Sequence, residues 1–189
     1  MSQSLDIIHD EHRALAAMLS SLRSLAGAIA AGRLKPDFGL FADMLRYIEE
    51  VPERLHHPKE TNYLFARLRP RCPEAEPVIA RLEEEHRQGE ARMAVLKDAL
   101  EAYRTLGEAG FAGFNAALVH YIDQEWKHMN TEEKQIFPLA RQHLTAADWA
   151  EIDAAFLAND NPWQGAAGEY AALFTRIVNE APAPVGLGG

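Results

Sequence analysis

Four long stretches of this chain carry apolar residues at steps of three and four, and that spacing commits them to amphipathic α-helices that each bury one face. The first, from about Ser4 to Ala31, sets Ile8, Leu15, Leu19, Leu22, Ala26 and Ile29 on one stripe. A second, from about Pro36 to Leu68, runs through Phe41, Leu45, Ile48, Pro52, His56, Glu60 and Leu64. The third begins near Pro77, whose missing N–H suits a first helical turn, and carries Ile79, Leu82, His86, Met93, Leu96, Leu100 and Tyr103 to the break Gly107-Glu108-Ala109-Gly110. From about Phe111 the fourth passes Phe114, Leu118, Tyr121, Glu125, His128, Glu132 and Ile136 before Pro138 bends or ends it. No stretch reads as a strand. The expected fold is all-α: an up-down-up-down four-helix bundle over 4–143, a C-terminal helical extension over 144–180, and a Pro/Gly-rich tail, 181–189, that reads as disordered.

These stripes are not purely apolar. His56 and Glu60 stand four residues apart, so on a helix they project from one face, and His128 and Glu132 repeat the spacing. His12 takes the place on the first stripe between Ile8 and Leu15, and His86 falls on the third, with Glu90 four residues later facing the same way. In an antiparallel bundle the four histidines sit at matching depths and converge. Burying so many polar groups unpaired costs several kcal/mol in total, so they must bond one another or a metal. Four imidazoles with two or three carboxylates exceed what one small divalent ion needs. They suit two ions, with carboxylates bridging and positions left for a small ligand.

Composition narrows the classes further. A formal net charge of -9 argues against nucleic acid, which demands a basic face. Cys72 is the single cysteine, so there is no intrachain disulfide and no thiolate-rich metal site; it sits between prolines and reads as a loop thiol. Eight histidines in so acidic a chain point to N/O ligation. No run approaches the ~20 apolar residues of a membrane span, and the N-terminus has no signal-peptide pattern, so the expected location is cytoplasmic, with no membrane partner.

The text Asp10-Glu11-His12, His56-His57-Pro58-Lys59-Glu60, Glu85-His86 and His128-Met129-Asn130-Thr131-Glu132-Glu133 resembles the hemerythrin-like HHE cation-binding family over roughly residues 4–143. The resemblance implies a four-helix bundle around two iron ions, an oxo- or hydroxo-bridged non-haem centre, with manganese or zinc as alternatives. His12 and His56 would then hold one ion, His86 and His128 the other, and Glu60 and Glu132 would bridge. Oxygen-carrying members have a second histidine four residues after the one matching His86, where this chain has Glu90, and a longer His-to-Asp spacing where it has His128 and Glu132. If Glu90 ligates, an anionic oxygen replaces an imidazole and lowers the reduction potential; if it does not, one ion gains an open position. Both favour turnover of O2, peroxide or NO, or iron response, over reversible O2 transport.

Other residues take blander readings. Pro52 and Pro58 remove helical partners from the carbonyls of Ile48 and Arg54 and predict kinks. His57, about 100° round the helix from His56, reads as exposed, or else as a support for the ligands. His9, His120 and His143 read as surface, Glu125 as an acceptor behind His128, Tyr63 and Tyr121 as pocket border or core. In the extension, Thr145 and Asp148 form a capping-box-like start for a helix with Trp149, Ile152 and Phe156 on one face, and a last helix over 167–179 uses Tyr170, Leu173, Phe174 and Ile177. Two rivals remain: an iron-sensing or metal-holding module without turnover and an unidentified protein partner, and a ferritin-like di-iron oxidase suggested by Glu53-x-x-His56, Glu83-x-x-His86 and Glu125-x-x-His128.

Overall fold

The computed structural model describes residues 3–158 and, beyond them, 172, 173, 175–177 and 179. All secondary structure among the described residues is helical, and the elements assemble into a helical bundle. The first run is α1 (Gln3–Ala30). The second starts at α2 (Phe38–Ile48), capped by the Asp37 carboxylate, which accepts from the Leu40 N–H at 2.9 Å. It continues without a break through α3 (His57–Lys59) and α4 (Ala66–Arg71), joined by π-helical turns at Glu49–His56 and Glu60–Phe65. Next comes α5 (Glu76–Leu106), then α6 (Glu108–Thr131), which passes through a π-helical turn, Glu132–Ile136, into α7 (Phe137–His143). The described helices end with α8 (Ala146–Ala158).

The prolines act differently from simple kinks. A proline donates no N–H and its ring crowds the carbonyl four residues back, so the turn before it must widen or break. Here it widens. The His57 N–H, just before Pro58, reaches back five residues to the carbonyl of Pro52, and the Phe137 N–H, just before Pro138, reaches the carbonyl of Glu132. Each wide turn therefore begins or ends at a polar residue of the stripe, and an i→i+5 turn rotates the following side chains away from α-helical phase.

Only one residue of the expected Gly107–Gly110 break is non-helical. Gly107 has φ 61°, a left-handed conformation that favours glycine, and α6 begins at once. Gly110 is inside the helix for a packing reason: a Cβ there would stand 2.6 Å from Cα of Tyr103, so the α5–α6 hairpin closes only over glycine. Cys72 lies in the short connection between α4 and α5, as its sequence predicts, and is fully buried there.

Two apolar clusters fill the interior, and the stripe histidines lie between them. One joins Leu15–Ala26 of α1 to Leu40–Val51, Met93–Tyr103 and Phe114–Met129, with Leu173 and Ile177 packed in. The other joins Leu5 and Ile8 to Leu64, Phe65, Leu68, Ile79, Leu82, Ile136, Phe137 and, from α8, Ile152 and Phe156. The capping box forms as its sequence predicts: the Thr145 N–H donates to the Asp148 carboxylate at 2.9 Å and the Asp148 N–H to the Thr145 hydroxyl at 3.3 Å. α8 is fixed to α1 by Ser4, whose hydroxyl donates to Asp153 at 2.7 Å. Of the expected last helix, Leu173 and Ile177 are buried; most of 167–179 and all of the 181–189 tail lie outside the described residues.

Candidate metal centre

Between the two apolar clusters a polar layer crosses the bundle. α1 delivers His12, the second run His56 and Glu60, α5 His86, and the α6–π-turn junction His128 and Glu132. Glu60 and Glu132 are 0% exposed. Their four oxygens divide among the imidazoles. Glu60 Oε1 lies 3.3 Å from His56 Nε2 and its Oε2 3.6 Å from His86 Nε2, while Glu132 Oε2 lies 3.3 Å from His12 Nε2 and its Oε1 3.3 Å from His128 Nε2 and 3.8 Å from His86 Nε2. Two overlapping groups result, His12–His56–Glu60–Glu132 and Glu60–His86–His128–Glu132, each with its ligand atoms within 4.8 Å of one another and each able to hold a cation. The two glutamates belong to both.

Their saturation is incomplete in a telling way. His12 Nε2, His56 Nε2 and both oxygens of Glu60 and of Glu132 are buried with no hydrogen-bond partner. An orphaned buried polar atom costs about 1–3 kcal/mol, and six aimed at one region are a donor set that fits metal ions. Outward, each imidazole is held through Nδ1: His12 by Glu133 at 2.9 Å, His56 by Glu11 at 2.6 Å, His128 by Glu85 at 2.8 Å, and His86 by the Thr61 hydroxyl at 2.8 Å. Such outer partners fix ring orientation and leave Nε2 as the ligating nitrogen. Glu11, Glu85 and Glu133 are each adjacent in sequence to a member of the layer, yet each supports a histidine on a different run.

Charge in the layer follows from its crowding. Burial alone depresses an imidazole, but at His56 the carboxylates of Glu60 and Glu11 outweigh it and push the ring up to about 10. His12 and His128 are raised against burial for the same reason, chiefly by Glu132. Glu132 is held well below the carboxylate range despite burial, by His128 and His12. Glu60 goes the other way, raised by burial and by the charge of Glu132. His86, desolvated and beside His57, falls to about 2 and stays neutral. The layer thus supplies from protonated imidazoles the positive charge that its carboxylates demand, a task cations perform directly.

Glu90 and His57 depart from the sequence reading. Glu90 is exposed and joins no ligand group; the structure does not bring it to the centre. The buried stripe of α5 advances through Ile79, Leu82, Gly89, Met93, Leu96, Leu100 and Tyr103, so the inward place one turn past His86 is Gly89. His57 is not exposed. It is buried at 3%, because the π-helical turn before it leaves both His56 and His57 facing inward. His57 Nδ1 bonds Glu53 Oε2 at 3.2 Å, and the Tyr121 hydroxyl donates to Glu53 Oε1 at 3.1 Å. Glu125 is buried and paired with Arg92 at 3.3 Å. Tyr63 is 43% exposed, and His120 is exposed.

A layer of imidazoles and shared carboxylates inside an all-helical frame matches a known design. The family model described as the hemerythrin HHE cation binding domain covers residues 3–140. The chain belongs to that family. No curated protein and no solved structure matches it. Cation binding is therefore the family's property, and the polar layer contains His/Glu groups that could hold a cation. Among the described residues no helix is long and apolar enough to cross a membrane.

Proposed function

We propose that this HHE domain is an up-down-up-down four-helix bundle holding two iron ions and handling a small diatomic or peroxide ligand, with turnover of peroxide, O2 or NO favoured over reversible O2 transport. His12 and His56 would hold one ion and His86 and His128 the other, with Glu60 and Glu132 shared between the two groups; manganese or zinc would use the same donors. The observation that carries this reading is the set of six buried, partnerless atoms: His12 Nε2, His56 Nε2 and the carboxylate oxygens of Glu60 and Glu132. A pair of iron ions supplies one-electron redox chemistry and a coordination position for the small ligand.

The chain's own contribution is orientation and exclusion of water. Glu133, Glu11 and Glu85 fix three rings through Nδ1 and raise their donor strength. Phe65, Phe137 and Leu64, all fully buried, close one side of the layer against water. Beside it, burial raises the Glu53 carboxyl above the usual range, and its Oε1 accepts from the Tyr121 hydroxyl.

Elemental analysis of untagged protein from iron-supplemented cells tests the reading. About two irons per chain are expected, and peroxide consumption then separates turnover from a metal-sensing module that only binds. One zinc per chain, or no metal, overturns the di-iron assignment.

A further inference from the structure

His86 is held unlike the other three histidines of the layer. Its Nδ1 meets a hydroxyl, Thr61, where His12, His56 and His128 each meet a carboxylate. A neutral hydroxyl orients an imidazole less firmly than a carboxylate does and adds less to its donor strength. In compensation the ring is clamped by faces. His57 lies flat against it, with centroids 4.2 Å apart and planes 11° apart, and Phe65 lies nearly parallel at 5.7 Å and 11°.

The flat stack decides what His57 does. Nitrogen atoms of His57, His86 and His128 come within 4.8 Å of one another, which by distance alone would admit His57 as a third ligand. An imidazole nitrogen, however, directs its lone pair in the plane of the ring. Two stacked, nearly parallel rings have no common in-plane point at bonding distance, so one ion cannot sit in front of both. His57 is a platform for His86.

The platform is itself built. Glu53 holds His57 Nδ1 with one oxygen and accepts from Tyr121 with the other, and its carboxylate occupies the space left by Gly89, where a Cβ would stand 1.9 Å from Glu53 Oε2. The glycine on the α5 stripe is thus the seat of the group that steadies His57.

We infer that His57 is a positioning residue that clamps His86 by stacking, seated through Glu53 on Gly89, and that this clamp sets the affinity of the ion held by His86 and His128, making it the second to bind and the first to leave. The inference rests on the two-ion reading above. The experiment is anaerobic titration of the metal-free protein with Fe(II) alone against a competing chelator, with melting of each metal-free variant as the folding control. The wild type is expected to load in two unequal steps. His57→Ala lowers the affinity of the second step about 10–100-fold, the range typical of lost ligand support, and leaves the first within about threefold. His57→Phe, which keeps a flat ring and has no nitrogen, restores most of that loss. Gly89→Ala, which displaces the Glu53 carboxylate while altering no ring, weakens the second step in the same direction. Equal losses for His57→Ala and His57→Phe would mean that the nitrogen ligates, and unchanged second-step affinity in both His57→Ala and Gly89→Ala would mean that there is no clamp; either result overturns the inference. Failure of the wild type to bind a second ion would instead sink the two-ion reading.

Discussion

Replacing Glu60 by Gln should change stability in opposite directions with and without metal. In the metal-free protein Glu60 is wholly buried, neither oxygen has a hydrogen-bond partner, and its pKa is raised by burial and by the charge of Glu132. A carboxyl whose folded pKa lies above its unfolded one weakens the fold at any pH above the unfolded value, so near neutral pH the ionised side chain is a net cost despite His56. The isosteric amide removes that charge, and the metal-free variant is expected to melt at the same temperature as the wild type or higher. With metal the sign reverses. Free metal at about 100 times the dissociation constant adds about 2.7 kcal/mol per ion, and an affinity lowered about 100-fold by loss of the bridging charge leaves about 0.4 kcal/mol. The difference, about 2.3 kcal/mol per ion and about 4.6 kcal/mol for the two ions that Glu60 bridges, corresponds to roughly 9–18 °C for a chain of this size. Thermal melts followed by circular dichroism, run with chelator and with anaerobic Fe(II), give the four curves required. A Gln variant less stable than the wild type by the same amount in both conditions would show that Glu60 is an ordinary structural acceptor, and the reasoning would fail.

Further outcomes follow from the same layer and its surroundings. Metal loading should release up to about three protons per chain near pH 7, because His12, His56 and His128 are all raised above 6.5 without metal and an ion binds only the neutral ring; an indicator-dye titration showing no release would contradict this. Arg92→Met strands Glu125, which is fully buried and pushed up to about 7 by burial and by Glu53, and should cost about 3–5 kcal/mol in urea unfolding. Adding Glu125→Gln should restore most of it, and no recovery would mean that the loss came from packing alone. Asp148, bonded by Thr145 and Arg71, is depressed from 3.8 to about 2, so its contribution is present above about pH 4 and fades as pH falls toward about 2. Asp148→Asn should therefore narrow the gap in melting temperature between about pH 7 and pH 2.5, and a gap equal to that of the wild type would count against the capping role.

Much of this was legible in residue spacing. A 3–4 apolar repeat has one solution, a helix with a buried face, and histidines or glutamates on that face must be brought inside with it. His12, His56, Glu60, His86, His128 and Glu132 could thus be named from position alone. Glu90 went astray because steps of three and four are both compatible with one face. Its neighbour Gly89 continues the α5 stripe but has no side chain to mark it as inward. The burial of His57 was hidden because the phase of a helix read from sequence assumes α geometry, and the proline-linked π turn shifts that phase.

The sequence by itself determined the class of fold, the polar stripe and the N/O character of the donor set, because helical periodicity and side-chain chemistry are local properties. Only tertiary structure decided who supports whom. Glu11 serves His56 and Glu85 serves His128 across helices, Thr61 meets Nδ1 of His86, and Glu53 comes to rest over Gly89. Those pairings join residues far apart in the chain, and they depend on the depth and rotation at which packed helices meet. No spacing along one strand of text encodes that; the close-packed interior fixes it.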